Sequence, residues 1–335
     1  MTFFKKHKKK LQFGFFFALT VVLLWFSFKD IQWMALWQGI CSAHYGWLAA
    51  SVGFGIAAYF VRAHRWKLLI QPLGYSPSLK NIYNAVIVGY LANLAFPRLG
   101  EVARCASLTK SNGVPFEKLV GTVVVERVFD FICMITIAVV AFIVKMDTFG
   151  RFIQENFVQK LSQISISTWL FIVLGLLIVL ALAIFALRQK NNVVIAKVRK
   201  FLSGIKEGLT TFVYMQRKGE FLLYTLLLWT CYWLMSWWVF YAIDGLAHLG
   251  AMDGLLIMLL GSFGVVAPTN GGLGAFHAII KLGMPFLFGA SVADSLLYAT
   301  LAHESQMLFV IILGFIAYWQ VFVKKTIKTN ANSLK

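Results

Sequence analysis

Tyr83-Asn-Ala-Val-Ile-Val-Gly-Tyr-Leu-Ala-Asn93-Leu-Ala-Phe-Pro97 is an apolar stretch of 15 residues that stops at a proline and runs into a charged loop, Arg98-Leu-Gly-Glu101-Val-Ala-Arg104. The same layout returns at Gly254 to Pro268, again 15 residues, which runs into Thr-Asn270-Gly271-Gly272-Leu-Gly274. At about 1.5 Å per helical residue each covers roughly 22 Å, short of a hydrocarbon layer about 30 Å thick. Neither is expected to span a bilayer alone. Paired short segments interrupted by Gly and Pro, in matching places of two halves, are the sequence sign of a transporter site built from broken helices.

Outward from these two stretches the chain stays apolar. It is 60% hydrophobic and 13% charged, which predicts an all-α integral membrane protein in a single membrane domain, residues 1–335. Full spans are expected at about 11–28, 45–61, 119–144, 168–187, 221–243 and 291–323, with short segments at 83–97, 254–268 and 276–290. No polar stretch is long enough for a separate soluble domain. Five lysines between Lys5 and Lys10 precede the first span, and no small-residue cleavage site follows it, so it is expected to be an uncleaved anchor.

The net charge of +18 could suggest nucleic acid, but the basic residues cluster in loops between apolar runs, and no nucleic-acid partner is expected. With both termini in the cytoplasm, 25 of the 31 Lys and Arg fall inside and 5 outside, Arg127 lying within a span. Arg62 and Arg65 count here as inner flanks. The sorting holds only if 83–104 enters and leaves on the inner side and 254–290 on the outer side. The predicted fold is thus a polytopic helical bundle with two re-entrant broken-helix elements. They belong to an inverted-topology repeat of units 1–160 and 161–335, with a site near the midplane.

Arg98, Glu101 and Arg104 fall on one side of a helix that starts after Pro97 and Gly100. Its N-terminal amides and two guanidiniums suit an anionic head group. Glu126, Arg127 and Asp130 occupy the first turns of the next span, and Glu126 and Asp130 share a face. A charge at bilayer depth costs about 2.5–3.5 kcal/mol even on insertion scales, so these three need partners or water, with Arg98 and Arg104 the natural ones. Two readings stand: a hydrated cationic pocket for phosphate, or structural salt bridges that snorkel to the inner surface. In the second unit Asn270, Gly271, Gly272 and Gly274 allow close backbone approach, with His277 one turn on and His303 and Glu304 in the last span. These histidines are packing residues or proton carriers.

Cys41, Cys105, Cys133 and Cys231 are dispersed, and neither a disulfide framework nor a metal site is expected from them. Residues 194–212 read as an amphipathic helix on the inner surface. Trp229, Trp233 and Trp237 form a packing or lipid-facing stripe, while Trp33, Trp37, Trp47, Trp66 and Trp319 are expected to anchor at the interfaces.

Taken in order, Asn93 to Arg104, Glu126-Arg127-Val-Phe-Asp130 and Pro268 to Gly274 resemble the flippase-like transmembrane domain of bacterial lysylphosphatidylglycerol synthases and its stand-alone relatives. The resemblance implies a domain in the bacterial cytoplasmic membrane that moves phospholipid between leaflets. In the synthases an aminoacyl-transferase domain follows. Here 12 residues follow the last span, so that activity is not expected. His277 stands where the family commonly has an acidic residue and His303 where it often has arginine.

The expected function is therefore transport of an anionic, phosphate-bearing lipid, with a polyprenyl-phosphate carrier lipid or an accessory scaffold role as alternatives. An embedded enzyme fits less well, because the outer acidic residues form no Asp-x-Asp pair. No phosphate-binding loop for ATP is present, and no cofactor or catalytic residue is expected. The partners to expect are membrane lipids, a second copy of the chain, or a separate lipid-modifying enzyme.

Overall fold

In the computed structural model, residues 14, 17–29, 31–146, 212–267 and 269–323 are described. The span expected at 168–187, Pro268 and all but the last residue of the amphipathic stretch lie outside them. The described residues form ten α-helices and no strand: α1 Phe17–Phe28, α2 Trp33–Ser42, α3 Tyr45–Ile70, α4 Leu79–Ala95, α5 Gly100–Asn112, α6 Phe116–Val144, α7 Lys218–Trp238, α8 Ala251–Val266, α9 Ala275–Phe288 and α10 Val292–Tyr318. Five segments, Tyr45–Leu73, Phe116–Val144, Lys218–Ala242, Asn270–Phe288 and Val292–Val323, are long and apolar enough to cross a membrane. The chain is an all-α, multi-pass membrane protein.

Both opening stretches fold as a helix, an elbow and a second helix. The first helix of each pair begins earlier than expected, at Leu79 and Ala251. Neither α4 nor α8 reaches spanning length. With the turn at Asn270–Gly272 counted in, α9 does reach it, against the short segment expected at 276–290.

The first pair closes into a hairpin through glycine. A Cβ on Gly100 would stand 2.5 Å from the Gly89 carbonyl oxygen and from Asn93 Nδ2, so only hydrogen fits there. The Gly100 amide, an unpaired donor at the start of α5, is taken by Asn93 Oδ1 at 2.6 Å. In the second elbow Gly271 and Gly274 hold φ of +63° and +78°, and Gly271 packs against Leu94 near the end of α4. The two elbows therefore touch.

α3 and α7 pack side by side, α4 packs on α10, and α8 packs on α6. One buried cluster, around Trp66, Ile82, Leu108, Leu119 and Phe221, joins α3 to α7 with α4, α5 and α6. A second, around Leu36, Phe240, Ile257, Met284 and Tyr298, fills the space between α2, α8, α9 and α10. The tryptophan stripe of α7 packs rather than facing lipid. Trp233 and Trp237 stack at 5.4 Å, and Trp233 Nε1 donates to the Ala251 carbonyl at 2.8 Å.

Polar contacts also join segments far apart in sequence at each end of the bundle. Lys145 pairs with Asp253 at 3.0 Å, His44 with Asp244 at 2.9 Å, and Lys281 Nζ donates to the Ser27 carbonyl at 2.9 Å. At the opposite end Lys110 lies over the Phe322 ring at 4.7 Å, and Asn84 Nδ2 donates to Gln320 Oε1 at 2.9 Å.

Candidate functional site

Two polar clusters lie among the helices. The larger centres on Glu126, which is in the third turn of α6 rather than the first, because the helix begins at Phe116. Its side chain has no exposed surface. Glu126 Oε1 accepts from Arg62 Nε at 2.8 Å and Arg65 Nη2 at 3.0 Å, while Oε2 accepts from Arg104 Nη1 at 2.9 Å. Snorkelling is thereby excluded for Glu126.

One turn on, Asp130 accepts from Arg65 Nη1 at 2.7 Å and from Arg62 Nη2 at 3.4 Å. Arg127, on the exposed flank, reaches Asp130 at 3.4 Å and Glu101 at 3.3 Å. The expected meeting of Arg104 with the α6 carboxylates is present. Arg98 is placed otherwise: it is exposed, has φ of +60°, and does not line the cleft described below.

Arg62 and Arg65 were expected as inner flanks and are instead buried members of the site. α3 continues past them to Ile70, and the spacing of three turns both toward α6. A signal for this was present, since Leu68, Leu69 and Ile70 keep the sequence apolar beyond the arginines. Trp66, expected at an interface, is also fully buried. It lies under Arg104 at 4.6 Å and donates through Nε1 to Thr122 at 2.9 Å, so it serves as the floor beneath that guanidinium. Tyr90, another residue the sequence did not single out, accepts from Arg62 Nη1 at 2.5 Å.

An open cleft of about 250 Å³ faces this cluster, lined by Arg62, Tyr90, Asn93, Glu101, Arg104 and Arg127 with Val86, Gly89 and Gly100. Four arginines meet three carboxylates here, leaving one excess positive charge. Arg104 Nη2 is buried with no hydrogen-bond partner. A buried unpaired guanidinium nitrogen is costly, and an oxyanion would satisfy it. Beside it Cys105 is fully buried and packs as a small hydrophobe.

The second cluster joins α9 to α10 beneath the second elbow. His303 Nε2 meets the Gly271 carbonyl at 3.0 Å, and His303 Nδ1 meets Glu304 Oε1 at 3.2 Å. His277 Nε2 lies 3.5 Å from the same Glu304 oxygen. Gly272 and Gly274 shape the elbow, while Asn270 Oδ1 is buried without a partner. Thus His277, His303, Glu304 and Gly271 converge as one group. The four cysteines are free and apart, and ligand-type side chains gather here instead of around them.

The chain matches the family described as the lysylphosphatidylglycerol synthase TM region over residues 13–314. It is also similar to the UPF0104 membrane protein MJ1595 of Methanocaldococcus jannaschii, with 32% identity over 143 residues, 41% of this chain and 39% of the relative. The match thus spans about two fifths of that relative's length. No solved structure matches. Nearly the whole length of the chain, including both elbows and both polar clusters, falls within the family match, and the protein belongs to the lysylphosphatidylglycerol synthase TM region family.

Proposed function

We propose that this protein is a transporter, not an enzyme, and moves an anionic, phosphate-bearing lipid between the leaflets of a bacterial cytoplasmic membrane. The observation that carries the proposal is Arg104: a buried guanidinium beside an open cleft, with Nη1 on Glu126 and Nη2 unpartnered. A small shift of the guanidinium would uncover that donor to a lipid phosphate, which would also compete with Glu101 for the exposed Arg127. The cleft is open rather than enclosed, which suits a head group whose acyl chains remain in lipid.

Reciprocal packing supports an inverted repeat. If units 1–160 and 161–335 are equivalent, α3 corresponds to α7, α4 to α8 and α6 to α10. A two-fold relation then demands that a contact of α4 with α10 be mirrored by one of α8 with α6. Both occur, and α3 pairs with its own counterpart α7. Elbows that touch at Leu94 and Gly271 fit a site near the midplane. Rocking one unit against the other would carry the head group from the arginine cleft past Asn270, Gly274 and His277.

The test is reconstitution of purified protein into liposomes carrying labelled phosphatidylglycerol, a polyprenyl-phosphate analogue or a neutral diglycosyl-diacylglycerol, with leaflet exchange followed by quenching. Exchange of phosphate-bearing lipids and not of the neutral glycolipid is expected. Equal exchange of all three would remove head-group selection by arginine. Exchange of none would favour a scaffold role.

A further inference from the structure

His303 and Glu304 are adjacent in sequence, and His277 lies in the preceding helix. The hairpin of α9 and α10 brings their ligand-type atoms within 4.8 Å of one another. The hydrogen bonding fixes which atoms face inward. A backbone carbonyl only accepts, so His303 Nε2, 3.0 Å from the Gly271 oxygen, carries the ring hydrogen. His303 Nδ1 then faces Glu304 Oε1 at 3.2 Å. A contact between these two atoms needs a bridging cation, which a proton on either group or a metal ion would supply.

The same oxygen lies 3.5 Å from His277 Nε2. Around a tetrahedral ion with bonds of about 2.0–2.1 Å, neighbouring ligand atoms stand about 3.3–3.4 Å apart. The two distances from Glu304 bracket that value. The bond from His303 Nε2 to a carbonyl is also how a metal-bound histidine is usually oriented from behind. Phe28 and Phe276 rings stand 5.4 Å and 5.3 Å from the His277 and His303 rings and form an apolar wall. His277 is 1% exposed, whereas Glu304 at 36% leaves one side accessible to an ion.

We propose that His277 Nε2, His303 Nδ1 and Glu304 Oε1 form a site for a divalent first-row transition ion of the zinc class, with a fourth position open to water. Two imidazoles and one carboxylate favour zinc, cobalt, nickel or copper over magnesium or calcium, which take oxygen ligands. A bound ion would tie α9 and the second elbow to α10. The site does not depend on lipid movement, so either proposal can fail without the other.

The test uses the full chain, purified in detergent through a histidine-free affinity handle, stripped with EDTA and titrated separately with zinc and cobalt. Wild type is expected to take up one ion per chain, with the cobalt form showing the intense visible bands of a tetrahedral site. Glu304→Gln and His277→Ala should each weaken binding at least about tenfold, as loss of one ligand in three implies. His64→Ala, on a histidine outside the cluster, should bind as wild type does. Glu304→Gln is nearly isosteric and partly exposed, and its thermal unfolding reports whether it folds. Absence of stoichiometric uptake by wild type would overturn the site, as would equal binding by folded Glu304→Gln.

Discussion

Arg62, Arg65 and Arg104 all rest on one carboxylate, and Glu126 is where the site is most exposed to failure by a single substitution. Removing one partner of a buried ion pair typically costs about 3–5 kcal/mol, because the charges left behind have lost their counter-charge. Glu126→Gln should therefore lower the thermal unfolding temperature in detergent substantially, and an unchanged value would show that the arginines do not depend on it. The carboxylates were legible in the sequence, since Glu126 and Asp130 stand on one helix face amid apolar residues. Half of their partners were not. An arginine near the end of an apolar run ordinarily marks the membrane boundary, so Arg62 and Arg65 looked like flanks. The apolar Leu68, Leu69 and Ile70 beyond them are the sequence signal that the helix continues into the protein, and Trp66 was misplaced because that signal was passed over.

At the scale of elements the elbows were the most legible feature. Proline ends a helix and glycine lets backbones meet, and both signals are local. Their partners in space were less so. That Gly100 sits against Gly89 and Asn93 follows from the hairpin, not from spacing. Gly100→Ala should force α5 away from α4 and destabilise by about 1–3 kcal/mol, as overpacking does. Gly121→Ala, in α6 with nothing within 4 Å of its Cβ position, should be neutral or stabilise by up to about 1 kcal/mol. Thermal unfolding of the two variants side by side checks this, and similar effects from both would argue against close packing at Gly100. The meeting of His277 with His303 and Glu304 was likewise hidden: all three residues could be picked out, but their convergence is a product of the α9 and α10 hairpin.

For the whole molecule, distant loops meet at both ends, Lys145 with Asp253 at one and Lys110 with Phe322 at the other, and the sequence sorts the two lysines to opposite sides by charge. The direction of the sorting follows from the positive-inside rule and has a direct check. Cys41 is exposed near His44 and should react with a membrane-impermeant maleimide added to intact cells. Lys110→Cys in a Cys41→Ser background should react only after the membrane is opened. Reaction of Lys110→Cys in intact cells would reverse the orientation. The packing of α4 on α10 and of α8 on α6 could not be read from sequence, because residues 1–160 and 161–335 share Gly and Pro placement rather than residue identity.

The cleft, the arginine excess and the touching elbows all converge on one claim: that arginine holds a lipid phosphate during its passage. The most direct measurement is the rate of leaflet exchange of labelled phosphatidylglycerol in liposomes containing wild type, Arg104→Gln or Arg127→Gln at equal folded amounts. Each substitution removes charge-assisted hydrogen bonds worth about 1.5–3 kcal/mol, so exchange should fall roughly 10- to 150-fold. Full exchange by folded Arg104→Gln and Arg127→Gln would contradict a phosphate path through this cleft.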